Sequence, residues 1–171
     1  MILWFSGISG AGKTSMANFF KRTFKKKIIH LDGDEFRKLF SNDLKYSLKD
    51  RDKNAKRLTL FVKYLSEQNC NVIVSANLTS EKYRTWCKKN LRNYVHVFID
   101  ANISSLLKRD YKKLYKNALK SKIKNVVGID VKFSKPRNYD MIITNNSSKI
   151  SFFKNSKKIN SFIKKKKIKI F

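Results

Sequence analysis

Proline and glycine are scarce in this chain, with one Pro and five Gly among 171 residues. Few positions therefore break regular elements, and three of the five glycines fall in one short stretch near the start. Cysteine is scarcer still. Cys70 and Cys87 stand alone without metal-ligand spacing, which excludes a disulfide framework or a cysteine zinc site and reads as free thiols in a reducing compartment. No apolar run reaches the length of a membrane span. The first apolar run begins at the initial Met, so neither a signal nor a transit peptide is expected and the expected location is cytoplasmic. Acidic residues are few, 12 against 40 Lys and Arg, for a formal charge of +28. The basic residues are spread along the whole chain and most are Lys. This pattern reads as a compositional bias at solvated positions, one that also favours an anionic substrate, rather than as a nucleic-acid surface. What is present is enough to fold: 42% hydrophobic and 13% aromatic residues exclude a disordered chain, and the length suits one domain over 1–171.

The stretch that absorbs the glycines is Gly7-Ile8-Ser9-Gly10-Ala11-Gly12-Lys13-Thr14. It fits G-x-x-x-x-G-K-[ST], the phosphate-binding loop of nucleoside-triphosphate enzymes. An apolar run, Ile2–Ser6, precedes it and reads as a strand buried on both faces. A helix with Met16, Phe19 and Phe20 at helical spacing follows, from Lys13 to about Lys25. Glycines let the backbone curl so that N–H groups turn toward phosphate oxygens, and the helix adds its positive end. The motif assigns all eight residues to ATP, Lys13 to the β- and γ-phosphates, and the Thr14 hydroxyl to Mg²⁺.

Further strands are expected at Ile28–Leu31, Val72–Ala76, Tyr94–Ile99 and Tyr139–Ile143, alternating with helices near Glu35–Phe40, Lys49–Gln68 and Ser80–Leu91, and with one starting near Ile103 and capped by Asn102. Alternation argues for an α/β fold, a mainly parallel five-stranded sheet with helices on both faces in three layers. A single C-terminal helix is expected over about Lys149–Ile163, followed by a basic tail at 164–171 whose Lys164-Lys165-Lys166-Lys167 reads as solvated. The basic stretch at about 109–128 reads as a lid over bound phosphates, which would exclude competing water. His30 and His96 sit inside strands without a nucleophile or metal partner in sequence and read as structural. On the long middle helix, Leu58, Phe61, Val62 and Leu65 form an apolar stripe. Extended toward the N-terminus, the stripe reaches Asn54 and Arg51, inward-facing polar groups that need a partner such as an anionic ligand. Asp32-Gly33-Asp34 ends the second strand at the carboxyl edge, where such sheets bind ligands. A small-molecule kinase needs a carboxylate at the acceptor hydroxyl. Asp34 suits that role, with Asp32 organising Mg²⁺ through water.

These residues together resemble the adenylylsulfate (APS) kinases, which pass the γ-phosphate of ATP to the ribose 3′-hydroxyl of adenosine 5′-phosphosulfate. The matching segments are the loop at 7–14, Leu31-Asp32-Gly33-Asp34 with Arg37, then Asp43-Leu44, Ser47, Asp50-Arg51 and Asn54, then Arg109-Asp110, Lys112, Leu114-Tyr115-Lys116 and Ala118, and finally Gly128-Ile129-Asp130 and Pro136. The resemblance covers residue 2 to about 145. It implies a P-loop NTPase fold, ATP and Mg²⁺ as cofactors, and an acceptor site of Asp32, Asp34, Arg37, Tyr46, Arg51, Asn54 and Val126. It further implies Arg109 on ATP and Lys112 serving the phosphates from the lid, beside catalytic Asp34 and Lys13.

The chain also departs from that family. Lys45-Tyr46 stands where a Gly-Phe pair is usual, Lys113 replaces a lid Gly, and Val126-Val127 replaces Phe-Thr. Thr79-Ser80-Glu81-Lys82 takes the place of a Ser-Pro-aromatic-Arg segment, so the serine sometimes assigned there as a phosphorylated intermediate has no clear equivalent. In the family two aromatics sandwich the acceptor adenine. Tyr46 keeps a ring and Val126 does not, and stacking is worth roughly 1–3 kcal/mol per base. The substitutions fall on the base site and spare the phosphate machinery. This is similar to the family's divergent branch in capsule biosynthesis, which phosphorylates the 3′-hydroxyl of cytidine 5′-diphosphoramidate, a smaller base. Three functions are carried forward: that kinase, an adenylylsulfate kinase making 3′-phosphoadenylylsulfate, and, more distantly, a basic nucleic-acid-binding NTPase. The expected partner is a small nucleotide acceptor, not nucleic acid or membrane, and a homodimer is compatible with the chain.

Overall fold

Short apolar runs become strands wherever both faces can be buried. A computed structural model of the chain describes residues 1–110 and 113–171. Its sheet has five strands: β1 (Ile2–Ser6), β2 (Ile29–Asp32), β3 (Val72–Ser75), β4 (Tyr94–Asp100) and β5 (Met141–Thr144), in the order β2-β3-β1-β4-β5. Every pairing is parallel. β1 is central, with Leu3 opposite Ile73 on one side and Val95 on the other, and Ile2, Leu3, Trp4 and Phe5 are all at 0% exposure. An apolar residue at every position of a strand is what a helix layer on each face requires.

The helices supply those layers. On one face Leu3 and Phe5 meet Met16, Ala17 and Phe20 of α1 (Lys13–Thr23), along with Phe152 of α7 (Lys149–Lys154) and Ile159 and Ile163 of α8 (Ser156–Lys165). On the other, Ile2 and Trp4 meet Phe36 of α2 (Gly33–Phe40), Ala55, Leu58 and Val62 of α3 (Leu48–Glu67), and Tyr83 and Cys87 of α4 (Glu81–Asn90). The buried Trp4 indole donates to the Ala76 carbonyl at 2.9 Å, so its one polar atom is satisfied. The fold is α/β of the P-loop NTPase type.

Local chemistry sets the boundaries. Ser47 caps α3 by accepting from the Asp50 N–H, and Asn102 caps α5 (Ile103–Lys108) by accepting from Ser105 N–H at 2.8 Å, as expected. β2 runs one residue further than its apolar run, to Asp32, which pairs with Ser75 and then caps α2. His96 is structural, as expected. It bonds Ser6 Oγ at 2.7 Å and the Asn138 carbonyl at 3.1 Å, and burial pushes its pKa down to about 4.

One expectation is corrected. The single C-terminal helix is two, α7 and α8, divided at Asn155, whose N–H turns back to the Phe152 carbonyl at 3.2 Å in a tightened turn. The run Lys164–Lys167 is exposed, as expected. Beyond it Ile168 and Ile170 pack on the core, and the Asn71 side chain exchanges two hydrogen bonds with the Phe171 backbone, at 2.5 and 3.0 Å. The basic stretch at 109–128 also has an apolar anchor. It holds α6 (Leu114–Leu119), whose Tyr115 is 2% exposed and belongs to the core. Among the described residues, no helix is long and apolar enough to cross a membrane.

Candidate functional site

The loop Gly7–Thr14 joins β1 to α1 at the carboxyl edge of the sheet. Two of its glycines are required by their surroundings. At Gly7 (φ +145°) a Cβ would lie 2.4 Å from the Ile99 carbonyl of β4, and at Gly12 (φ +103°) 2.7 Å from Asn145 Nδ2. The Ile8 and Ala11 side chains are buried in the core, so these residues can offer a ligand only their backbone. Donors from outside and inside the loop hold its carbonyls. Asn145 Nδ2 donates to Ala11 O at 2.8 Å, the Tyr115 hydroxyl to Ser9 O at 2.7 Å, and Lys13 Nζ to Ile8 O at 2.9 Å. Arg109 joins the same assembly from the end of α5, donating to the Asn145 carbonyl at 2.6 Å.

Thr14 faces the end of β2. Its hydroxyl donates to Asp32 Oδ2 at 2.7 Å, and Ser75 Oγ donates to the same oxygen at 2.9 Å. Asp32 Oδ1 accepts from the N–H groups of Asp34 (2.9 Å) and Glu35 (3.5 Å). Burial raises the Asp32 pKa, but the hydrogen bonds from Thr14, Asp34 and Ser75 outweigh it and hold the carboxyl below its ordinary value. The Thr14 proton is thus turned to Asp32, and the hydroxyl lone pairs remain for a hard cation. An oxygen-only donor set of this kind fits Mg²⁺ completed by phosphates and water. Among the described residues no group of three or more His, Cys, Asp or Glu stands together as a metal cage.

An open cleft of about 860 Å³ begins at this pair. It is lined by Thr14, His30, Asp32, Asp34, Arg37 and Tyr46, among others, and so brings four of the seven expected acceptor residues together with Thr14. Asp34 stands exposed in the first turn of α2. Arg37 and Arg51 both lie against the Tyr46 ring, at 4.9 and 5.5 Å from its centroid. Arg51 donates to the Tyr46 and Asn125 carbonyls at 3.0 and 2.7 Å. Burial, then the charge of Arg37, lowers the Arg51 pKa. The guanidinium stays charged at neutral pH, and an anion would relieve that repulsion. One turn along α3, Asn54 Oδ1 is buried and has no hydrogen-bond partner, which is costly unless a ligand supplies one.

Val126 is placed otherwise. Its side chain is 5% exposed and joins the core beside Val127, because an aliphatic residue gains more by packing inward than by facing water. The Asp130 carboxylate fixes this turn by accepting from Asn125 and Val126 N–H, each at 2.5 Å. What reaches the acceptor cluster from here is the Asn125 carbonyl on Arg51. Lys112 lies outside the described residues. Lys113 takes the left-handed conformation (φ 51°) before α6, at the position where the family's Gly was noted to be replaced.

Sequence reasoning missed Asn145, Tyr115 as a support of the loop, and His30 as a wall of the cleft. Asn145 directly follows β5 at the carboxyl edge, and the rule that ligands gather at that edge would have marked it. Tyr115 and His30 gave no such signal, because their partners are distant in sequence.

The family model described as adenylylsulphate kinase matches residues 1–144. A probable adenylyl-sulfate kinase of Pseudomonas aeruginosa is 36% identical over 143 residues, 82% of this chain and 67% of the relative. A cytidine diphosphoramidate kinase of Campylobacter jejuni is 34% identical over 148 residues, 85% of this chain and 86% of the relative. Among solved structures, the Mycobacterium tuberculosis APS kinase in complex with AMPPNP and APS superposes with a TM-score of 0.82 at 28% identity, covering 93% of this chain and 95% of that one.

Proposed function

The chain belongs to the adenylylsulfate kinase family and is an ATP-dependent kinase, and from that premise we propose that it phosphorylates the ribose 3′-hydroxyl of a nucleotide carrying a modified 5′-phosphate, namely cytidine 5′-diphosphoramidate. The observation that carries the reading is the acceptor cluster opposite the phosphate loop. Two guanidiniums flank one aromatic ring, Tyr46, while the position of the family's second aromatic is Val126, turned into the core. A site with one ring and two cations suits a small pyrimidine with an anionic 5′ group better than a purine held between two rings. The Campylobacter relative, named for that acceptor, supports the choice.

In this reading Gly7–Thr14 hold the ATP phosphates through their backbone, and Lys13 leaves the Ile8 carbonyl to offset charge on the transferring phosphoryl group. Thr14, with Asp32 behind it, would hold Mg²⁺, which when bound neutralises the β- and γ-phosphate oxygens. Asp34 faces the acceptor hydroxyl and receives or orients its proton. Arg37 and Arg51 take the acceptor phosphates, and Asn54 Oδ1 accepts a base amino group. Arg109 serves ATP from the end of α5, and Lys112 is assigned to the phosphates from the lid. The reaction is that of a cytoplasmic enzyme built as one domain over 1–171.

Offering both acceptors in one vessel with ATP and Mg²⁺ tests the proposal. The expected main product is the 3′-phosphorylated cytidine compound. Preferential turnover of adenylylsulfate would make Lys45 and Val126 tolerated changes in an enzyme of sulfate activation. That second reading is favoured by one observation, the adenylylsulfate kinase names among the relatives.

A further inference from the structure

β2 and β3 carry a chain of hydrogen bonds that ends on Thr14. His30 and Asp32 are two residues apart on β2 and so share one face of the sheet. Ser75 pairs with Asp32 across the ladder to β3 and therefore lies on that face too. His30 Nε2 is 2.8 Å from Ser75 Oγ, and Ser75 Oγ is 2.9 Å from Asp32 Oδ2. A serine hydroxyl has one proton. With that proton given to Asp32, the contact to His30 must be an N–H of the imidazole donating to Ser75. The direction of the whole chain follows: His30 Nε2–H to Ser75, Ser75 O–H to Asp32, and Thr14 O–H to Asp32 from the opposite side.

We propose that His30 is a positioning residue for phosphoryl transfer. Donating through Ser75, it fixes the Asp32 carboxylate so that the Thr14 hydroxyl keeps its lone pairs turned toward the metal. Ser75 cannot hold this orientation alone. Without a donor at His30, its hydroxyl can rotate away from Asp32, and Asp32 Oδ2 is then held by Thr14 only. Ser75 is itself buried, 3% exposed, so its hydroxyl depends on the side chains packed around it. His30 keeps its Nε2 proton whether the ring is neutral in this tautomer or charged, so the support persists through neutral pH. The inference rests on the reading of Thr14 as the metal-holding hydroxyl.

The test is a double-mutant cycle on the full chain with two readouts: Mn²⁺ binding to the ADP complex by electron paramagnetic resonance, and kcat against acceptor KM. His30→Phe and Ser75→Ala should each weaken Mn²⁺ binding and lower kcat by roughly 10-fold, the usual scale for outer-shell partners, with acceptor KM little changed. His30→Gln, which retains a donor N–H, should restore both. Because the groups act in series, His30→Phe with Ser75→Ala should be no worse than Ser75→Ala alone. Additive losses, failure of His30→Gln to restore, or unchanged Mn²⁺ affinity in Ser75→Ala would each overturn the proposal. Should His30→Phe not fold, His30→Ala, which also removes the donor N–H, carries the same expectation. The metal readout needs no acceptor. A wild-type protein that phosphorylates neither acceptor would sink the proposed function while leaving the cycle readable.

Discussion

Asp32 accepts hydrogen bonds from Thr14, Ser75 and two backbone N–H groups, while Asp34, two residues on, stands exposed at the cleft. Two carboxylates in different surroundings suit different tasks. Asp34→Asn should therefore lower kcat by about 10²-fold or more, the scale of a lost acid–base group, with ATP affinity nearly unchanged in calorimetry. Collapse of ATP affinity would move Asp34 to the metal side. Lys13→Ala should cost about 10²–10³-fold in kcat, and near-normal turnover would refute its role. His96 makes a separate expectation about stability. Its folded pKa is about 4 against 6.5 ordinarily, because it is buried. Between those values the unfolded chain binds a proton that the folded chain does not, so stability is whole above pH 6.5 and falls as pH drops toward 4, by on the order of 3 kcal/mol. Urea unfolding of the wild type and of His96→Gln measures this, and the variant should show the flatter pH slope. At this scale the loop, the Asp-Gly-Asp turn and the Arg51–Asn54 pair were legible, since each depends on neighbours within a few residues. The His30–Ser75–Asp32 chain was not. It depends on which strand lies beside β2, and nothing in the local sequence states that.

Among the elements, strands were the easiest to read, because burial on both faces leaves a continuous apolar run. The C-terminal region was misread for a definite reason. Phe152, Ser156, Ile159 and Ile163 are all buried at spacings of four, three and four residues, so the helical period passes through the break at Asn155 undisturbed. In the lysine-rich stretch 109–128, Tyr115 enters the core and ties α6 to the loop through Ser9. That anchor depends on Lys113 holding a left-handed backbone, a conformation that costs a side-chain-bearing residue roughly 1–2 kcal/mol. Lys113→Gly should accordingly stabilise the protein by about 0.5–1 kcal/mol after the entropy cost of glycine is subtracted, measured by chemical denaturation. A loss of stability would show that the lysine side chain contributes more than its backbone costs.

For the whole molecule, alternation of strands and helices was enough to give the layers but not the strand order. β1 lies between β3 and β4, and this brings the loop after β1, the turn after β2 and Asn145 after β5 to one edge. In the proposed reading the groups that hold ATP and those that hold the acceptor are thereby gathered at that edge. The charge of +28 adds a general attraction for anions but selects none of them; in the proposed reading, selection falls to the cluster of Arg37, Tyr46, Arg51 and Asn54. The measurement that goes most directly to the central claim is transfer of label from γ-labelled ATP to cytidine 5′-diphosphoramidate and to its 3′-deoxy counterpart. Label should appear on the first nucleotide and not on the second, since the cleft is read as delivering the phosphoryl group to the 3′-hydroxyl. Equal labelling of both, or release of all label as inorganic phosphate, would contradict that reading.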